Sequence, residues 1–84
     1  MPKFIDHHPM GPGLPPEAAE GIAEKIRAGE TDEFGVKGLN VYLGKTGEAF
    51  CVSEAPDAEA VMKAHEAAGF PISRTDVVEV EAVA

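Results

Sequence analysis

Apolar positions along this chain switch between two periods. Residues 2–8, Pro-Lys-Phe-Ile-Asp-His-His, read as a first strand with Phe4 and Ile5 on opposite faces, as in a central strand. Residues 9–16 hold four prolines and two glycines and form a rigid loop that cannot continue the strand. Glu17 to Ala28 follows with helical spacing: Ala19, Ile22, Ala23 and Ile26 make one stripe, and Gly29 is the expected stop. Strand period returns over Val36–Leu43, with Leu39, Val41 and Leu43 on one face. A Gly-Lys-Thr-Gly turn at 44–47 leads into Glu48–Glu54. There Phe50 and Val52 oppose Ala49, Cys51 and Ser53. Asp57 is a good N-cap for a second helix, Ala58–Ala68, whose inner side holds Val61, Ala64, His65 and Ala68. Thr75–Val83 reads as the last strand.

The order β-α-β-β-α-β, in one domain spanning residues 1–84, predicts a ferredoxin-like α+β sandwich. Its antiparallel sheet has four strands, with a fifth left open, and both helices on one face. The other face has no helix to cover it. Phe4 or Ile5, Tyr42, Cys51 and Val77 are available to line it, and a second copy is the usual cover, so a homodimer is expected. The first and third strands are expected to run parallel at the sheet centre. That carries His65, roughly 12 Å along the second helix, away from the end of the first strand, so His8 and His65 are not expected to share an ion within one subunit.

Charge narrows the partners. Fifteen Asp and Glu face seven Lys and Arg, a net charge of −8. That excludes the basic patch that nucleic acid or an anionic membrane surface needs, whereas divalent cations would gather near such a surface. A single cysteine, Cys51, allows no intramolecular disulfide. With no apolar leader and no run long enough to span a bilayer, a cytoplasmic location is expected.

The candidate chemistry is concentrated in Asp6-His7-His8. Imidazole suits late first-row divalent metals, and a nearby carboxylate can complete a small N/O set. Asp6 and His8 share a face; His7 points the other way unless the strand ends there, which Pro9 favours. Two solvated histidines at a strand end are the plain alternative. His65 with Glu66 forms a second candidate locus; the alternative is a helix histidine packed on the sheet and bonded to a carbonyl. Cys51 reads as a small buried apolar residue. No nucleophile elbow or phosphate loop is present. A small enzyme or small-molecule binder using the cleft near His65 stands as the competing function.

Two segments carry a family resemblance. The stretch from Phe50-Cys51-Val52-Ser53-Glu54-Ala55-Pro56-Asp57 through His65-Glu66-Ala67-Ala68-Gly69-Phe70-Pro71, with the start Met1-Pro2-Lys3-Phe4 and Asp6, resembles the small nickel-responsive actinobacterial proteins. The resemblance implies a ferredoxin-like dimer that binds nickel for sequestration or buffering rather than catalysis. It matches His8 and Asp6 to the family's N-terminal His and Asp, and His65 and Cys51 to its His and Cys. The histidine pair here stands one residue earlier than in the nickel-binding member, and the following loop is richer in proline.

Overall fold

The computed structural model describes residues 1–8 and 15–84. The loop expected at 9–16 lies largely outside them. The elements are β1 (Lys3–His8), α1 (Pro16–Ala28), β2 (Lys37–Leu43), β3 (Ala49–Glu54), α2 (Ala58–Ala67), a 3-10 turn (Arg74–Asp76) and β4 (Val77–Val80). They form one four-stranded antiparallel sheet in the order β2-β3-β1-β4, the expected α+β ferredoxin-like arrangement. Among the described residues no helix is long and apolar enough to cross a membrane.

Local chemistry explains the boundaries. Pro16 takes the first turn of α1, where its missing N–H costs nothing. Gly29 closes that helix at φ 70°, a left-handed conformation suited to glycine. Asp57 caps α2 by accepting from the Ala60 N–H at 2.8 Å. The last strand is shorter than Thr75–Val83. Its start is taken by the 3-10 turn, where the Ser73 N–H donates to Asp76 and the Asp76 N–H to the Ser73 carbonyl. Its end is fixed by β1: Val80 pairs with Lys3, the first residue of that strand, so nothing further remains to pair with.

One expectation is corrected here. β1 and β3 are antiparallel, not parallel. The crossover through α1 brings β2 back in the direction of β1, and the tight turn at 44–47 then reverses β3, which inserts between them. The pairs Phe4↔Ser53, Asp6↔Cys51 and His8↔Ala49 therefore place these six residues on one face.

That face carries the helices. Phe4, Ala55, Ala60, Val61 and Val77 form the buried core, with Phe34, Val36, Met62 and Ile72 packed against it. Phe4, Cys51 and Val77 thus belong to the helix side and do not line the open face. The open face is carried by Ile5, Phe50, Val52, Tyr42 and Val78, paired across the sheet in register. Tyr42 and Val78 there are 56% and 55% exposed, unusual for large side chains on a sheet.

Candidate metal centre

Antiparallel pairing sets the centre's geometry. β3 ends beside the start of β1, where α2 begins, and α2 then runs back over the sheet. From Ala58 to His65 is roughly 10.5 Å of helix. From Glu54 back to Cys51 is about 10 Å of strand. The two lengths match, so His65 comes down beside Cys51 and its cross-strand partner Asp6. The expected distance along the helix is right, but its direction is opposite to that expected.

Asp6, His8, Cys51 and His65 each offer one ligand atom, and these atoms all lie within 4.8 Å of one another. Three elements supply them: β1 gives Asp6 and His8, β3 gives Cys51 and α2 gives His65. Asp6 is the pivot. Its side chain is fully buried, and its Oδ2 accepts from His8 Nε2 at 2.8 Å and lies 3.0 Å from His65 Nε2. The two imidazole rings sit 5.0 Å apart, tilted by 36°. His65 Nδ1 donates to the Val61 carbonyl at 2.8 Å, one turn back along α2. That bond fixes the ring and turns Nε2 toward Asp6, as an outer-shell carbonyl does for a metal-ligating histidine.

The charges are strongly coupled. Burial opposes ionisation of Asp6, but hydrogen bonds from His65 and His8 outweigh it and hold the carboxyl below its usual range. His8 is raised to about 9, chiefly by Asp6 and then by Cys51, against the effect of burial. For His65 burial acts downward, yet Asp6 and Cys51 carry it up to about 10. Burial pushes the Cys51 thiol up, while His65 and His8 pull it below its ordinary value. The imidazoliums and the Asp6 carboxylate thus favour one another's ionised forms, and the imidazoliums favour the Cys51 thiolate, which the carboxylate opposes.

Two nitrogens, a carboxylate oxygen and a thiolate sulfur suit nickel, cobalt, copper or zinc, and neither magnesium nor calcium. One further observation fits an ion. Among the described residues, Asp6 Oδ1 is buried and has no hydrogen-bond partner. An orphaned carboxylate oxygen in a protein interior costs on the order of 1–3 kcal/mol, and a cation would satisfy it.

Of the residues singled out from sequence, the structure brings together Asp6, His8 and His65. His7 stands on the opposite face, as strand alternation requires. Its Nε2 is 2.8 Å from Glu48, and its ring stacks on Phe50 at 4.9 Å. Glu66 is exposed on α2 and outside the cluster, so His65 pairs with Asp6 rather than with its neighbour. The plain reading of His65, a helix histidine bonded to a carbonyl, is also present, but on the other ring nitrogen. Cys51, read as core, is the residue that residue-by-residue reasoning missed. Alternation along β3 places it beside Ala49 and Ser53; only the antiparallel register would have set it opposite Asp6.

A family model described as "Nickel responsive protein SCO4226-like" matches residues 4–80. The crystal structure of SCO4226 from Streptomyces coelicolor A3(2) is similar, with a TM-score of 0.73 and 30% sequence identity, covering 98% of this chain and 99% of that one. Among curated proteins none matches.

Proposed function

This chain belongs to the SCO4226-like family of nickel-responsive proteins, and we propose from that premise that it binds a divalent transition metal, nickel first among candidates, through Asp6, His8, Cys51 and His65. The role is sequestration or buffering. The observation that carries the reading is the convergence of four ligand atoms within 4.8 Å, beside a buried carboxylate oxygen that lacks a partner. Four protein ligands drawn from three elements suit a site that retains an ion.

A homodimer in the cytoplasm is the setting we propose for this role. The apolar open face, with Tyr42 and Val78 half exposed, supports a second copy as its cover. Small size favours the same arrangement, because a chain of 84 residues has little surface to bury alone.

Isothermal titration of nickel into tag-free protein at about pH 7.5 tests the site. One ion per chain is expected, lost in His65→Ala and strongly weakened in Cys51→Ser. Wild-type protein that takes up no nickel, cobalt or zinc would overturn the proposal. Unchanged uptake by His65→Ala would move the site elsewhere.

A further inference from the structure

α1 is amphipathic, yet none of its residues is fully buried. It approaches the sheet closely at Gly38, where an added Cβ would stand 3.0 Å from Ile26 Cγ1. Beside that contact an open-sided cavity of about 230 Å³ separates α1 from the sheet and α2. Ile22, Ile26, Val36, Ala64, Ala68 and Phe70 supply apolar walls, and all four ligand residues line the same space. Ser53 lines it too. Ser53 is 4% exposed, and its hydroxyl has no partner among the described residues. A core built only for stability would close such a space, since empty volume costs packing energy.

Charge decides what fits. A divalent ion with the Asp6 carboxylate, the Cys51 thiolate and two neutral imidazoles is neutral overall. The other charged lining residues are Lys25 against Glu30 and Asp32, and the chain as a whole carries −8. No net positive field therefore remains to draw in an anion. We infer that the cavity takes a small, uncharged, mainly apolar molecule whose one lone-pair donor atom would join the four residues as a ligand to the ion. This rests on the metal reading above and adds an exogenous ligand to it. An engineered apolar cavity of about 150 Å³ holds benzene, so about 230 Å³ accommodates one ring with a few further heavy atoms.

Cobalt reports both steps separately. Cobalt(II) is first titrated into the protein and followed by its visible spectrum. The loaded protein is then titrated with pyridine, benzene and benzoate, which share a ring and differ in donor atom and charge. Pyridine is expected to shift the spectrum saturably. Benzene leaves it unchanged, and benzoate binds more weakly than pyridine. Ile22→Phe, which fills the cavity without touching a ligand residue, weakens pyridine by at least about tenfold while cobalt uptake persists; Ala64→Leu serves where Ile22→Phe fails to fold. No pyridine shift, an equal shift in the filled variant, or tighter binding of benzoate would each overturn the cavity assignment. Failure of cobalt to bind before any ring is added overturns the metal reading itself.

Discussion

Asp6→Asn in chelator-treated protein isolates what the buried carboxylate does before any metal arrives. The substitution keeps the shape and one carbonyl oxygen and removes the charge. Two imidazole contacts at 2.8 and 3.0 Å depend on that charge. Charge-assisted hydrogen bonds contribute about 1.5–3 kcal/mol each. The two imidazoles share one oxygen and repel each other when both are charged, so we take roughly 3 kcal/mol for the pair rather than the sum. The pH window follows from the direction of the shifts. His8 and His65 are raised in the folded state, from 6.5 to about 9 and about 10. Their contribution is complete below the unfolded value of about 6.5 and fades as pH rises through the folded values. Asp6 is lowered, so its part is present above its ordinary value of 3.8 and lost only in stronger acid. Asp6→Asn should therefore lower stability by roughly 3 kcal/mol near pH 6, a fall of about 2 M in the urea midpoint for a domain of this size. By pH 10 the gap should nearly close. Urea unfolding followed by circular dichroism at both pH values decides it. An equal loss at the two pH values would refute the assignment of these shifts to the Asp6 pair.

Four further outcomes follow. His7→Ala should leave nickel stoichiometry unchanged, because His7 contacts Glu48 and Phe50 on the opposite face; titration calorimetry reads this directly. Nickel uptake at about pH 7.5 should release more than one proton per ion, since both imidazoles are protonated until well above neutrality; calorimetry in two buffers of different ionisation enthalpy counts them. Affinity should accordingly decline as pH falls from about 9, earlier than the value near 6.5 of an unperturbed imidazole implies. Asp57→Ala should cost about 1 kcal/mol of thermal or urea stability through the lost α2 cap while leaving metal binding intact.

How much of this was legible in the sequence depends on the range of the interaction. Periodicity, the Asp57 cap and the Gly29 stop are local, and the helices and the first three strands came out within a residue or so of their observed limits. The fourth strand was overdrawn because its length is set by what β1 offers as a partner, which no local pattern contains. The site turns on one global step. Asp6 and His8 sharing a face follows from strand alternation, but bringing His65 and Cys51 to them requires the relative direction of β1 and β3. The right reading was available from connectivity: a tight turn makes β3 antiparallel to β2, and a crossover through a helix makes β2 parallel to β1. Composition could not supply it, and the resemblance supplied the residues without their geometry.

The metal-free contacts have a chemical logic that bears on how a buried site of this kind is filled. α2 is anchored at its N-terminal half by Ala60 and Val61, both buried, and beyond Val61 it has no fully buried residue. At that weaker end His65 reaches Asp6, so the carboxylate tethers the helix as well as offering a ligand. In the metal-free state two imidazolium protons face the charge of Asp6, and they also favour the thiolate of Cys51. When a divalent ion enters and those two protons leave, the net charge of the buried cluster is unchanged. Such an exchange avoids the large penalty of adding an uncompensated charge to a protein interior. With Cys51 as thiolate, the divalent ion and its four ligands are neutral together, so the thiol, already held below its ordinary value by the two histidines, joins the ligand set without leaving a net charge in the interior.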